Sequence, residues 1–131
     1  MDDGVGTGAA TGAAMVAPLT RHAAYDGPGC PVEAALEVTG GKWKGIVLYH
    51  LLAEGPLRHS DLRRRCRTAT PRVLTRQLRE MEADGLLWRR VHASVPPRVE
   101  YGLTAAGESL RPVVGALRSW GLARIGPAAG G

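Results

Sequence analysis

Residues 70–104, TPRVLTRQLREMEADGLLWRRVHASVPPRVEYGLT, decide the fold of this protein. The first half predicts an amphipathic helix, because at roughly 100° of rotation per residue Leu74, Leu78 and Met81 fall within about 60° of one another. The second half predicts two short strands, since apolar and polar residues alternate strictly over residues 98–103. We therefore expect a helix with one buried side, followed directly by a β-hairpin.

The side of this helix that faces away from the predicted core carries arginine. Arg72, Arg76 and Arg79 lie roughly 130–210° from Leu74 on the helical wheel. A guanidinium group pairs in two-pronged fashion with phosphate or with guanine O6/N7, so such a row suits a DNA groove. The alternative is an ordinary solvated face. Acidic residues gather near the C-terminal end of the helix, against its dipole. Dipole stabilisation therefore does not explain the pattern, and we favour a nucleic-acid face.

The positive charge of the chain is concentrated in one region. The 131 residues carry a net charge of +5. Residues 56–98 hold 11 arginines against 4 acidic residues, a net +7, so the remainder carries −2. A high-GC genome could explain the preference for arginine over lysine but not this segregation. The distribution favours an anionic partner and is typical of a nucleic-acid footprint.

Composition bounds the rest of the organisation. We expect residues 1–28 to form a disordered tail, residues 29–124 one folded domain, and residues 125–131 a flexible tail. The N-terminus lacks the positive leader and long apolar run of a signal peptide, and no segment approaches the roughly 18 apolar residues of a membrane-spanning helix. Two distant cysteines, Cys30 and Cys66, indicate a reducing compartment. We predict a cytoplasmic protein without a membrane partner.

The pattern of apolar residues, caps and breakers predicts the remaining elements. We expect helices over residues 32–38, 42–53 and about 59–66, then the arginine-bearing helix from Pro71 to the stop at Gly85, strands over 86–92 and 98–103, and a last helix capped by Thr104 and kinked at Pro112. The result is a mainly α protein with a small antiparallel β-hairpin. This order is that of a winged helix-turn-helix. In that fold the second helix of the helix-turn-helix pair enters the major groove, and the hairpin lies beside it.

Five strings in the chain resemble a specific family: CPVEAALEVTGGKWKGIVLYHL, LRHSDLRRR, TPRVLTRQLREMEADGLLWRRV, VPPRVEYGLTAAGESLRPVV and LRSWG. Together they are similar to the HxlR-type winged-helix transcriptional regulators of bacteria, over about residues 30–121. The chain departs from the family pattern at His59, where an aromatic residue is usual, and at Cys66 and Ala69, where a larger aliphatic residue is common. We expect these departures to alter the core under the third helix slightly.

The resemblance implies a homodimer that binds a palindromic operator, with dimerisation through the first and last helices. Here the dimer surface would combine residues 32–38 with Leu110, Val113, Leu117 and Trp120. The alternative is that these residues fill the core of the monomer. A two-fold dimer would place two recognition helices about 34 Å apart, one turn of DNA. We expect repression, the commoner outcome for a small regulator.

Nine residues are the candidates for DNA contact. Those on or beside the exposed start of the arginine-bearing helix are expected to reach base edges, whereas Arg79, the wing and Lys42 are expected to contact phosphates. Arg98 at the wing tip is the strongest wing candidate, because a strand residue on the other side of the sheet need not meet DNA. For Lys42 simple solvation is an equal alternative. The full set is Thr70, Arg72, Thr75, Arg76, Arg79, Arg98, Lys42, Arg89 and Arg90.

Cys30 is the candidate for regulation by an oxidant or a small electrophile. It directly precedes Pro31, which is favoured at a first helical position, so we expect its sulfur at a helix N-terminus, where the dipole favours the reactive thiolate. Several relatives in the resembled family sense oxidants or electrophiles through a matching cysteine. The alternative is an unreactive cysteine kept by descent. Cys66, one turn after Leu62, is expected in the core.

Two other functional classes compete with a DNA-binding regulator. A winged helix can serve as a protein-interaction module without sequence-specific DNA binding, but such a module need not keep both the arginine row and a basic wing. An enzyme has no support, since there is no Gly-rich phosphate loop, paired carboxylates or triad. The four histidines show no metal-ligand spacing with either cysteine. We expect neither a metal nor a cofactor.

Overall fold

The computed structural model describes residues 30–125, and its elements follow the predicted order. The helices are α1 (Pro31–Thr39), α2 (Lys44–Glu54), α3 (His59–Arg65), α4 (Pro71–Ala83), α5 (Ala105–Glu108) and α6 (Arg111–Ile125). The strands are β1 (Leu57–Arg58), β2 (Leu87–His92) and β3 (Arg98–Leu103). The predicted class, mainly helical with a small antiparallel sheet in a winged helix-turn-helix, is confirmed. The predicted N-terminal tail lies outside the described residues, as does the predicted C-terminal tail apart from Ile125, which still belongs to α6.

Helix α4 begins and ends where its sequence predicts. The side chain of Thr70 accepts a hydrogen bond from the backbone N–H of Val73 at 3.2 Å, which satisfies one of the free donors of the first turn. Pro71 occupies the first helical position. Gly85 follows the helix with φ +78°, a left-handed conformation that glycine adopts without a steric penalty. Both ends of the arginine-bearing helix are therefore fixed locally.

The sheet has a third strand that the sequence pattern does not predict. Strand β3 lies in the centre, in the order β1-β3-β2, and both pairings are antiparallel. The two residues of β1 pair with Tyr101 and Glu100. Two residues are too few to show an alternating pattern, so β1 is recognisable only from its partner. Its effect is to attach the start of α3 to the wing.

The segment predicted as one last helix forms two helices, α5 and α6. Thr104 caps α5 as expected, accepting a hydrogen bond from the backbone N–H of Gly107 at 3.2 Å. The predicted single helix kinked at Pro112 is wrong, because the chain leaves the helix after Glu108 and starts again at Arg111. Pro112 is then the second residue of α6, where the first-turn N–H that proline lacks has no partner within the helix. The helix breaks before the proline instead of bending around it.

The core forms where α2, α3, α4 and the sheet meet. The side chains of Leu74, Leu78 and Met81 are all at most 1% exposed, which confirms the predicted buried side of α4. Cys66 is 1% exposed and belongs to the same cluster, as expected for a small core residue. Among residues 30–125, no helix is both long enough and apolar enough to span a lipid bilayer.

Candidate nucleic-acid interface

The outer side of α4 presents the predicted arginine row. Arg72, Arg76 and Arg79 are all exposed, opposite the buried leucines. This follows from the helical period, because three apolar side chains inside the core leave the intervening positions facing out. Thr70 is exposed at the N-cap, and its oxygen is engaged with the helix backbone. The geometry predicted for this face of the helix is thus present.

A groove of about 540 Å³ separates α4 from the wing, and its walls are rich in arginine. Helix α4 contributes Arg79, the wing contributes Arg89 and Arg98, and the start of α3 contributes Arg58. The full lining is Arg58, His59, Ser60, Thr75, Arg79, Arg89, Pro96, Pro97, Arg98, Val99 and Tyr101. No acidic side chain is among them, so the groove attracts anions. Arg58 is a member that the sequence analysis missed, and it lies here because β1 pairs with β3.

Two titratable side chains line the bottom of this groove. Burial lowers the pKa of His59 below its ordinary value, and the nearby Arg63 charge lowers it further. The Nε2 atom of His59 lies 3.4 Å from the Thr75 hydroxyl. Burial raises the pKa of Tyr101, while the positive charge of Arg89 and a hydrogen bond from it act in the opposite direction. The imidazole at the position where the resembled family usually has an aromatic residue therefore contacts Thr75, a DNA-contact candidate.

Two candidates for phosphate contact lie away from this groove. Arg90 is on the face of β2 opposite to Arg89, and its guanidinium carbon lies 4.7 Å from the centre of the Trp88 ring. Lys42 belongs to the turn before α2, because that helix begins two residues later than predicted. Its Nζ atom lies 5.1 Å from the centre of the Trp43 ring. Both side chains are exposed, and each rests on an indole ring by a cation–π contact.

Several charged side chains near this surface have partners within the chain. Arg65 donates from Nε to Glu54 at 2.7 Å and so connects α3 to α2. That hydrogen bond is the main reason why the pKa of Glu54 lies below its ordinary value. Arg64 pairs with Asp61, whose carboxylate also accepts from the Arg58 backbone N–H at 2.9 Å. Of the run Arg63–Arg65, two members are thus engaged in the fold.

A buried charge next to α4 is a further feature that the sequence does not predict. Lys44, the first residue of α2, is 6% exposed, and its Nζ atom lies 2.8 Å from Glu80 Oε1. The other oxygen of Glu80 lies 4.0 Å from Arg76 Nε. This ion pair joins the arginine-bearing helix to α2. Lysine pairs of this kind give no sequence signal, because the two residues are 36 positions apart.

Cys30 and the apolar faces of the terminal helices lie apart from the groove. Cys30 is exposed at the N-cap position of α1, and its carbonyl accepts the Ala34 N–H at 3.1 Å. Ala34 and Val38 face the core, whereas large apolar side chains of α1 and α6 remain exposed. The exposed set is Val32, Leu36, Val113, Leu117, Trp120 and Ile125. The described monomer therefore does not bury most of the side chains proposed for the dimer surface.

The two-helix unit, exposed arginine row and basic wing define the chain as a winged helix-turn-helix protein of the DNA-binding class. Comparison with known proteins gives the family. The HxlR-like helix-turn-helix family matches residues 38–128, and the chain belongs to it. The resemblance stated from the sequence is thereby confirmed.

Relatives and solved structures agree with this assignment. The chain is 53% identical over 93 residues to the uncharacterized HTH-type transcriptional regulator YybR of Bacillus subtilis (strain 168), covering 71% of this chain and 74% of that protein. It resembles the structure of the redox regulator HypR in its oxidized form with TM-score 0.67 and 51% identity, over 72% of this chain and 96% of that chain. Diamide-treated YodB from B. subtilis matches with TM-score 0.59 and 28% identity, over 73% and 94%. The relatives are transcriptional regulators, and the protein is a transcription regulator with a helix-turn-helix fold.

Proposed function

We propose that the protein is a cytoplasmic homodimeric repressor that binds a palindromic operator through α4 and the wing, and that it responds to an oxidant or electrophile through Cys30. The observation that carries the proposal is the row of exposed arginines on a helix whose other side is fully buried. A rigid helix with guanidinium groups on its outer side can present them at fixed positions to base edges and phosphates. The basic groove beside it supplies further cations for the backbone.

Within this interface we assign two kinds of contact. Thr70 is the N-cap of α4, and Arg72, Thr75 and Arg76 lie on its first two turns. This end of the helix approaches base edges in a helix-turn-helix complex. Arg79, Arg89 and Arg98 line the groove and suit phosphates. Arg90 and Lys42 lie outside the groove, each against a tryptophan ring, and are the weaker phosphate candidates. Replacing Arg72 or Arg76 with Ala should cost about 1–3 kcal/mol on the operator and much less on random DNA.

The decisive experiment compares operator and scrambled DNA by fluorescence anisotropy over a salt series. Candidate operators come from upstream of the protein's own gene and its neighbours. Preference of about a thousandfold or more, with a steep salt slope, supports a specific regulator. A protein-interaction module without sequence-specific binding would instead bind both DNAs weakly and equally. An operator that overlaps a promoter would exclude RNA polymerase, so transcription in vitro should fall when the protein is added.

The dimer surface is proposed from the exposed apolar side chains of α1 and α6. Val32, Leu36, Leu117 and Trp120 are each more than 60% exposed. Large apolar side chains exposed on two helices are typical of a protein–protein interface. Light scattering should therefore give a dimer for the full chain and a monomer for Trp120→Asp. The matched control is Val95→Asp, because Val95 is fully exposed at the wing tip, outside the proposed surface; a dimeric Trp120→Asp protein would contradict the assignment.

Cys30 is the proposed sensor because it is exposed at the start of α1, beside the proposed dimer surface. Its thiolate can add to an electrophilic carbon, forming an S–C bond while the acceptor takes up a proton. With a hydroperoxide it forms a sulfenic acid, the O–O bond breaks, and water or an alcohol leaves. The structural relative HypR is described as a redox regulator, in oxidized and reduced forms. Either modification would change the surface through which two copies are proposed to meet.

The sensor is tested by operator release on treatment with an electrophile. The wild type should release DNA and Cys30→Ser should not. Cys66→Ala is the matched control, because burial raises the pKa of the Cys66 thiol and the core covers it. Release by Cys30→Ser would remove this residue from the mechanism. Loss of the response in Cys66→Ala would mean that both cysteines take part.

A further inference from the structure

Lys44 is the charged residue in the core of the described part of the chain, and it touches the recognition helix. Its side chain is 8% exposed, and Nζ lies 2.8 Å from Glu80 Oε1. A buried ammonium group is retained in a fold only where it is paired, because its desolvation is costly. The structure therefore ties the carboxylate of Glu80, whose side chain is 38% exposed, to a buried cation of α2.

Glu80 also faces the DNA-contact candidate Arg76. Its Oε2 atom lies 4.0 Å from Arg76 Nε, whereas a charge-assisted hydrogen bond measures about 2.7–2.9 Å. The two residues are one turn apart, a spacing at which opposite charges pair on a helix surface. The Arg76 side chain is nevertheless 60% exposed and only loosely held. One carboxylate is thus shared between a close lysine and a distant arginine.

The backbone fixes Lys44 against this part of α4. The turn before α2 passes close to the helix, since a Cβ at Gly41 would lie 3.1 Å from Gln77 Nε2. Gly41 also has φ +82°, so both space and conformation favour glycine there. Gln77 precedes Glu80 by nearly one turn, on the side of the helix that meets α2. The position of the Lys44 ammonium relative to Glu80 is therefore set by packing and not by a flexible stem alone.

We propose that Lys44 is a positioning residue for DNA reading, which holds the Glu80 carboxylate inward and so leaves the Arg76 guanidinium available to a base or phosphate. The proposal rests on the proposed function of α4. Without the lysine, the Glu80 carboxylate can turn toward Arg76 on the same helix, and a closed Arg76–Glu80 pair competes with DNA for the same guanidinium. Lys44 thus acts through Glu80 and does not itself contact DNA.

The first arm of the test follows the ion pair without DNA. Lys44→Met keeps the apolar stem and removes the charge. By ¹⁵N NMR of the arginine side chains, hydrogen exchange of the Arg76 Nε–H should slow in this variant, because the group becomes bonded to Glu80. Adding Glu80→Gln to Lys44→Met should restore the fast exchange of the wild type. Unchanged exchange in the folded single variant would overturn the proposal.

The second arm is a double-mutant cycle on operator affinity. Lys44→Met should weaken operator binding about fivefold, the lower end of the loss expected when an arginine–DNA contact is removed. In the Glu80→Gln background the same change should have no effect. Glu82→Gln is the matched control, because Glu82 is an exposed acid on the same helix, and in that background the fivefold loss should persist.

The two arms separate the possible failures. An equal loss in the Glu80→Gln background would mean that Lys44 acts by another route, and the proposal would be wrong. The double variant Lys44→Met/Glu80→Gln removes both charges and should fold even if the single variant does not, since replacing both members of a buried pair is commonly tolerated. If the single variant Lys44→Met unfolds while the double variant folds and binds operator like Glu80→Gln, the role of the lysine is purely structural, which also overturns the proposal. Absence of any specific operator would refute the proposed function, while the exchange measurement would still decide the role of Lys44.

Discussion

Removing Arg98 should change the salt dependence of DNA binding by an amount that the structure fixes. Arg98 lies at the start of β3, is exposed, and lines the groove between the wing and α4. Within residues 30–125, Arg98 forms no salt bridge shorter than 4.0 Å. Its guanidinium is therefore available for a phosphate, and Arg98→Ala would remove one such contact from each protomer of the proposed dimer.

The magnitude follows from counterion release. Each phosphate contact on duplex DNA contributes about 0.9 to the slope of log K against log salt. A dimer carries two copies of Arg98, so the slope should become shallower by about 1.8. Between roughly 50 and 200 mM salt this amounts to about a tenfold change in the ratio of mutant to wild-type affinity. If the protein bound DNA as a monomer, the slope would become shallower by only about 0.9.

The assay is fluorescence anisotropy on one labelled duplex over a series of salt concentrations. Arg111→Ala is the matched control, because Arg111 is exposed outside the groove and bonds Glu108 Oε1 at 2.8 Å. The control should leave the slope nearly unchanged although it removes the same charge. Equal slopes for Arg98→Ala and the wild type would refute the assignment of Arg98 to a phosphate. A change in slope near 0.9 would support the phosphate contact of Arg98 but contradict a dimer on DNA.

Three further predictions concern stability. Thr70→Ala should lower the free energy of unfolding in urea by about 1 kcal/mol, since it removes the N-cap of α4. The same change at the exposed neighbour Thr68 should have little effect, and equal effects of the two changes would contradict the cap. Gly102→Ala should cost about 1–3 kcal/mol because a Cβ there would lie 2.1 Å from the Trp88 ring, and an unchanged midpoint would contradict this packing. His59 has a lowered pKa, so the unfolded chain takes up its proton first and stability should fall as the pH drops below the ordinary value of 6.5. Unfolding of His59→Gln should show a smaller fall, and identical pH profiles would exclude this contribution.

Much of the interface could be predicted because its determinants are local. The period of Leu74, Leu78 and Met81 fixes which side of α4 is buried, and the arginines follow from it. Thr70 and Gly85 fix the ends through hydrogen bonding and a left-handed φ, and both are properties of a few adjacent residues. Where structure depends on short-range geometry, the residues alone suffice.

The features that could not be predicted depend on residues distant in sequence. Strand β1 exists because Leu57 pairs with Tyr101, and this pairing brings Arg58 into the groove. Lys44 looks like an ordinary helix-start lysine until the packing of α2 on α4 places it beside Glu80. The sequence predicts a kink at Pro112 where the structure has a break before it, because sequence shows that proline disturbs a helix but not at which residue the helix ends. Such features require the tertiary arrangement.

The most direct test of sequence-specific binding by α4 is selection of DNA ligands from a random pool by the purified protein. We expect enrichment of an inverted repeat whose half-sites are about one helical turn apart, bound roughly a thousandfold more tightly than scrambled DNA. Arg72→Ala or Arg76→Ala should relax the preference at one base position in each half-site. A pool that shows no enrichment at low salt, or a selected site that the wild type binds no better than scrambled DNA, would contradict sequence-specific binding by α4.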